Sequence, residues 1–167
     1  MKILIFDQST RCSGWAYFLD GEYVASGIID MSDSDLETDA RSFEMAKKLW
    51  KIINKYEPDE LVIEQVQNQT NTKTVIILAR LAGMIIGYAE AHGVKTHTVE
   101  PAKWRKMLSY NQGPKVKRAE LKKQSIDYVK EKLGVKMPED RAEAICIGFA
   151  AHKIYNFSDE EDLWGEK

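Results

Sequence analysis

The pattern of hydrophobic and polar positions predicts strands at the start of the chain. Residues 2–7 are an apolar run that ends in an acid, which is typical of a buried strand. Two further runs, at 14–19 and 23–29, flank Asp20-Gly21, a dipeptide that favours a tight hairpin turn. We therefore predict that three antiparallel strands open the fold.

The middle of the chain alternates between helix and strand. Apolar residues recur at helical spacing over residues 38–56 and 72–92, whereas short apolar runs at 59–64 and 94–99 are typical of buried strands. Strands that alternate with helices favour parallel pairing. This part of the chain is therefore predicted to add a parallel half to the sheet.

The last third of the chain is predicted to be helical, over residues 101–108, 115–133 and 139–155. The predicted fold class is thus α/β: a mixed five-stranded sheet, three antiparallel strands followed by parallel ones, flanked by helices. We expect one domain over residues 1–155 and an acidic C-terminal tail over 156–167.

Composition narrows the class of protein. The chain has 167 residues, 44% of them hydrophobic and 30% charged, as in ordinary globular domains. The sequence offers neither an uncharged apolar run of the roughly 18 residues needed to span a membrane nor an export signal. Cys12 and Cys146 lack metal-ligand spacing. We expect a cytoplasmic protein without a membrane, zinc or redox role.

The net charge of −2 conceals an uneven distribution. Residues 103–132 contain ten basic and three acidic side chains, a local charge of +7, whereas 30–44 and 159–166 are acidic. A basic stretch with an apolar stripe is typical of the solvated face of an amphipathic helix. The same local charge would also suit a polyanionic partner. Both interpretations stay open on charge alone.

Four acidic residues follow strands or begin a helix: Asp7, Glu64, Asp140 and Glu143. Singly, each has an ordinary explanation, such as a turn or a favourable interaction with a helix dipole. Together they predict a cation site, because carboxylates that follow buried strands are costly without a positive partner. The i, i+3 spacing also puts Asp140 and Glu143 on one helical face, where they repel each other. Oxygen ligands without His or Cys favour Mg²⁺, for which Mn²⁺ can substitute.

Three motifs resemble those of RuvC-type Holliday junction resolvases. Residues 7–14 (Asp-Gln-Ser-Thr-Arg-Cys-Ser-Gly) are similar to the opening motif, 62–66 (Val-Ile-Glu-Gln-Val) to the second, and 140–144 (Asp-Arg-Ala-Glu-Ala) to the acidic pair that starts the final helix. The resemblance extends to about Tyr155. It implies an RNase H-like fold, a homodimer, and structure-selective cleavage of Holliday junctions or other branched DNA in a bacterial or phage-infected cell.

In such a nuclease the four carboxylates would be catalytic ligands of two cations, and hydrolysis would leave 5′-phosphates. The helix at 72–92 is apolar over much of its circumference, so either its own domain buries it on several sides or it forms the dimer interface. Basic side chains would bind backbone phosphates. These are Lys103, Arg105, Lys106, Lys115, Lys117 and Arg118.

Three positions depart from the RuvC pattern. Ser9 replaces a usual glycine, Glu143 a usual aspartate, and Gln67 an aromatic wedge found in well-studied members. Glutamine does not stack on bases as an aromatic ring does, which predicts a broader range of branched substrates. Short bacteriophage resolvases tolerate divergence of this kind, so a phage-type member is favoured.

Other functions compete with this interpretation. The opening motif also resembles YqgF-like nucleases that act on RNA precursors, and residues 6–10 resemble the first phosphate motif of glycerol kinase-like sugar kinases. The length argues against a kinase, which needs a second lobe around its nucleotide. A nucleic-acid-binding module without activity is a further alternative. His92, His97 and His152 share no ligand spacing, and no role is predicted for them.

Overall fold

A computed structural model describes residues 1–67 and 71–157. Its sheet has the order β3-β2-β1-β4-β5. β1 pairs antiparallel with β2 and parallel with β4, and β5 extends the parallel half. The predicted mixed sheet is confirmed. The strands are β1 (Lys2–Asp7), β2 (Cys12–Leu19), β3 (Glu22–Asp30), β4 (Glu60–Glu64) and β5 (Lys95–Val99).

The helices also follow the prediction, with one difference at the basic helix. Its predicted start at residue 115 is wrong: it begins at Arg118, because Gly113–Val116 form a turn and the Glu120 carboxylate accepts a 2.9 Å hydrogen bond from the Lys117 main-chain N–H. Lys115 and Lys117 therefore precede the helix. The helices are α1 (Thr38–Tyr56), α2 (Thr72–Ala91), α3 (Pro101–Met107), α4 (Arg118–Leu133) and α5 (Glu139–Tyr155).

The first strand is apolar throughout because both of its faces are buried. Ile3 and Ile5 pack in the core formed with α3, α4 and α5, whereas Leu4 and Phe6 pack in the core formed with α1 and α2. Successive side chains of a strand point to opposite faces. Asp7 therefore follows Ile3 and Ile5 onto the face that α5 covers.

α5 is the central helix of this face. Nine of its 17 residues are buried, most of them alanine or other small side chains. Small residues allow close packing on the sheet: a Cβ atom at Gly148 would lie 2.1 Å from the Phe18 ring. The position of α5 over the strands is thus closely fixed.

α2 is packed on one side only. Its buried residues are Leu81, Ala82, Ile85 and Ala89, while the Ile76 side chain is 46% exposed. By length and composition alone this helix could also cross a membrane, but core helices of soluble proteins share that length and composition. Several of its other large apolar side chains are only partly covered by the described part of the domain.

The predicted tail falls mainly outside the described residues, since only Asn156 and Phe157 of it are included. The division into a domain of residues 1–155 and a tail stays a prediction.

Candidate active site

The four predicted carboxylates come from the elements that meet at one edge of the sheet. β1 and β4 are parallel and in register up to Phe6 and Ile63, so Asp7 and Glu64 extend from the same ends of adjacent strands. Asp140 and Glu143 lie in the first two turns of α5, which packs over these strands. The fold therefore delivers acids from three distant stretches of chain to one place.

Three of these carboxylates form a close group. Ligand oxygens of Asp7, Asp140 and Glu143 all lie within 4.8 Å of one another. Glu64 is not a member of that group, but its charge acts on both Asp7 and Glu143. The structure thus places Glu64 at the side of a three-carboxylate cluster.

The protonation of the cluster reflects its burial. Burial raises the pKa of Asp7 well above its usual range, and the charges of Glu64, Glu143 and Asp140 raise it further. Burial and the Glu64 charge likewise raise the pKa of Glu143, and burial raises that of Glu64. These raised pKa values indicate that positive groups near the cluster do not balance its negative charge. A bound divalent cation would supply the missing positive charge.

Nearby cations compensate only in part. The Arg105 Nη2 atom lies 3.9 Å from Glu64 and 3.7 Å from Glu143. The Lys122 charge lowers the pKa of Asp7 and of Glu143, and its ammonium contacts Glu139. Lys122 is absent from the predicted site residues, because nothing in the basic run distinguishes the lysine whose charge acts on the cluster.

The donor set fits a hard divalent cation. The cluster offers carboxylate oxygens, and the side-chain oxygen of Gln8 is buried beside it without a hydrogen-bond partner among the described residues. The Gln8 amide nitrogen donates to the Glu64 carbonyl at 2.6 Å. A polar, oxygen-rich site of this kind suits Mg²⁺ or Mn²⁺ with bound water.

A cleft of about 240 Å³ opens beside Glu64, and two guanidinium groups in its wall favour an anionic ligand. It is lined by Gln8, Glu64, Gln65, Val66, Gln67, Leu78, Pro101, Arg105 and Arg118.

A family model described as crossover junction endodeoxyribonuclease RuvC matches residues 17–151. The chain belongs to the RuvC family. The matched segment includes β4 and the first 13 residues of α5, which supply three of the four carboxylates.

Curated relatives and solved structures agree with this family. A crossover junction endodeoxyribonuclease RuvC of Syntrophomonas wolfei is 24% identical over 95% of this chain and 92% of its own length, and one of Fusobacterium nucleatum is 25% identical over 88% and 77%. Among structures, T. thermophilus RuvC in complex with Holliday junction substrate superposes with a TM-score of 0.73 at 13% identity, covering 95% of this chain and 97% of that one. The yeast mitochondrial Holliday junction resolvase superposes at 0.55 with 13% identity, covering 94% and 81%. These superpositions confirm the RNase H-like fold.

The predicted basic residues of this RuvC-family chain lie at different distances from the cluster. Arg105 faces it, and the Arg118 charge acts on Glu64 across the cleft. Lys103 and Lys106 are exposed on α3, and Lys103 approaches the Tyr155 ring at 6.0 Å. The remaining two, Lys115 and Lys117, are exposed before α4. Only part of the predicted set is therefore close to the acids.

Close packing at Gly14 provides a test of how α5 positions the cluster. A Cβ atom at this residue would lie 1.9 Å from the Asp140 main-chain oxygen. We expect Gly14→Ala to push the start of α5 away from β2 and to lower the free energy of unfolding by about 1–3 kcal/mol. The rate of DNA cleavage should fall by more than the smaller fraction of folded protein explains. Chemical denaturation and initial cleavage rates on the folded fraction measure the two effects.

Gly113→Ala is the control for the free energy of unfolding, since a Cβ atom there makes ordinary contacts, with the Asn111 side chain at 3.5 Å and the Val116 side chain at 3.9 Å. Unchanged cleavage in Gly14→Ala would show that the contact with Asp140 does not hold the acids in place.

Proposed function

We propose that this chain is a metal-dependent endodeoxyribonuclease that resolves Holliday junctions and related branched DNA. The observation that carries the proposal is the convergence of acids from β1, β4 and α5 in a partly buried cluster, within a chain of the RuvC family. The relatives described above are named as crossover junction endodeoxyribonucleases, and one of the similar structures contains a Holliday junction substrate.

We assign Asp7, Glu64, Asp140 and Glu143 as the catalytic metal ligands. Asp7 belongs to the close group with the α5 pair, and the Glu64 charge also acts on it, so the four carboxylates together would hold two ions, Mg²⁺ or Mn²⁺. Such ions supply activation of the attacking water and stabilisation of the leaving 3′ oxygen, which leaves a 5′-phosphate. The Glu143 side chain belongs to the cluster despite its extra methylene. This supports an active enzyme over an inactive binding module.

The protein's own groups position the scissile strand. Arg105 and Arg118 flank the cleft beside Glu64, where they can bind the phosphate on either side of the reacting one. This positive surface is extended along α3 and the start of α4 by Lys103, Lys106, Lys115 and Lys117. Contacts with phosphates orient DNA without reading its sequence.

A salt titration tests the outer part of this surface. We expect Lys117→Ala to weaken junction binding most at low salt and to reduce the slope of log affinity against log salt by about 0.9, the value for one lost phosphate contact on duplex DNA. Fluorescence anisotropy with a labelled junction measures the slope. Lys48→Ala, an exposed lysine of α1 on the other side of the sheet, should leave it unchanged. Equal slopes for wild type and Lys117→Ala would remove Lys117 from the DNA surface.

The partner proposed for α2 is a second copy of the chain. Its uncovered apolar side would be buried by an identical helix across a two-fold axis. Such a dimer presents two active sites to a junction that needs two symmetrical cuts. We place the enzyme in the cytoplasm of a bacterial or phage-infected cell, where its DNA substrate lies.

The substrate class is tested by direct competition. Purified protein with Mg²⁺ is given a labelled four-way DNA junction, a linear duplex of the same sequence and a structured RNA. Preferential paired cutting of the junction is expected, and a preference for RNA would favour the YqgF-like alternative. The sugar kinase alternative fails, because the chain matches the RuvC family and one sheet accounts for its described strands.

A further inference from the structure

We propose that Trp104 is the positioning residue of the metal site, orienting the Glu64 carboxylate through its indole N–H. The inference rests on the proposed function, because it assigns Glu64 as a metal ligand. Trp104 lies on α3, outside the three family motifs, and no sequence pattern singles it out.

The hydrogen bond between the two residues is direct. The Trp104 indole nitrogen donates to the Glu64 Oε1 atom at 2.8 Å. The Arg105 guanidinium approaches the same oxygen, at 3.9 Å. Among the described residues, both polar contacts of this carboxylate use Oε1. Oε2 therefore remains as the oxygen that can bind a cation.

Hydrogen bonds already fix the main chain around Glu64. The position of its carboxylate therefore depends on rotation about the side-chain bonds. The Gln8 amide donates to the Glu64 carbonyl at 2.6 Å, and the next main-chain N–H, of Gln65, donates to the Val99 carbonyl at 2.8 Å. A glutamate side chain between these anchors still has three rotatable bonds. The hydrogen bond from Trp104 selects among their conformations.

Trp104 is itself held rigidly. Its side chain is fully buried, the Tyr110 ring packs edge-on against it at 5.4 Å, and the Arg105 guanidinium lies over it at 4.8 Å. Pro101 starts α3 directly after β5, so the helix that carries the indole is tied to the sheet. A ring fixed on so many sides is a stable reference for the carboxylate.

A neutral donor suits this task better than a cation. Arg105, at 3.9 Å from Oε1, already offsets part of the charge that attracts the metal ion. An indole is uncharged and only donates, so it orients the carboxylate without offsetting that charge further. Partners that orient metal ligands typically contribute about 10- to 100-fold to metal affinity or activity. The same range is expected here.

The test uses Trp104→Phe, which keeps an aromatic ring and removes the N–H. We expect its affinity for Mg²⁺, measured calorimetrically on the full chain without DNA, to fall by about 10-fold or more. On a junction, kcat at fixed Mg²⁺ should fall while KM stays close to that of wild type. Trp50→Phe is the matched control, because the Trp50 indole donates to the Met84 carbonyl at 3.2 Å, between α1 and α2.

A second measurement does not depend on whether a tryptophan variant folds. The chain has four tryptophans, so an assigned ¹⁵N spectrum of the metal-free protein resolves the Trp104 indole signal. We expect Glu64→Gln to move this signal upfield, as the charged acceptor is replaced by a neutral amide. Mg²⁺ should shift it in wild type.

The outcomes separate the two proposals. Wild-type Mg²⁺ affinity in folded Trp104→Phe, or an indole signal unmoved by Glu64→Gln, overturns the role of Trp104 alone. If Glu64→Gln itself retains wild-type Mg²⁺ affinity, the assigned metal site fails. Reduced affinity in both Trp104→Phe and Glu64→Gln, with Trp50→Phe unchanged, supports both proposals.

Discussion

Asp7→Asn is expected to reduce Mg²⁺-dependent cleavage of a four-way junction by at least about 10³-fold, since cations contribute several kcal/mol to such transition states. Asp7 is the carboxylate on which the charges of the other three act, so its loss should affect every ion in the site. Single-turnover cleavage of a labelled junction measures the effect. Binding of the junction without Mg²⁺ should persist, because phosphate contacts come from other residues.

Asp33→Asn, at an exposed position between β3 and α1, is the control and should cleave normally. The cluster would be wrongly assigned if Asp7→Asn cleaved the junction at a rate within about 10-fold of wild type. Such a difference corresponds to less than about 1.4 kcal/mol in the activation free energy.

The same variant should stabilise the metal-free protein. Burial and like charges raise the pKa of Asp7, so the folded state favours its protonated form. The corresponding stability is present below the pKa of an unfolded carboxyl and is lost as pH rises through the raised value. Asparagine avoids that loss. Calorimetry with EDTA should show a Tm above that of wild type near neutral pH, by about 2–4 °C per kcal/mol gained, and a smaller difference in acid.

Ile76→Glu is expected to convert the proposed dimer into a monomer. The Ile76 side chain is 46% exposed in the isolated domain, on a helix with four buried residues. Burying an unpaired carboxylate in an apolar interface costs several kcal/mol, so the dimer dissociation constant should rise by at least about 100-fold. Sedimentation at micromolar concentration measures this. Paired cuts within one junction should give way to single nicks.

The control is Val135→Glu, an equally apolar residue that is 52% exposed beyond α4. It should sediment as wild type does. A wild-type protein that is monomeric at these concentrations, or an Ile76→Glu protein that stays dimeric, would remove α2 as the interface.

The sheet could be predicted well because its signals are local. The run before Asp7, the hairpin turn at Asp20-Gly21 and the alternation that follows each report short-range geometry. The side on which Asp7 and Glu64 lie also follows from strand parity, once β1 and β4 are known to be neighbours. That neighbourhood is a tertiary property, and here the family resemblance supplied it.

The roles of the helices were harder to predict. α2 is the most apolar helix along the sequence, yet α5 is the one buried in the centre, because small residues rather than large ones permit its close approach to the sheet. Trp104 and Lys122 were missed for a related reason. Each belongs to a segment whose composition already has an ordinary explanation, and only the folded chain shows which side chain turns toward the acids.

The burial of α5 has a consequence for control of the enzyme. Two of the proposed ligands are carried by the helix that forms the centre of the larger core, and its start rests directly on Gly14. Buried core segments have the highest free energies of local opening in a domain. We therefore expect changes in activity to come less readily from movement of these ligands than from the places where substrate would arrive, at α3 and the turn that leads into α4.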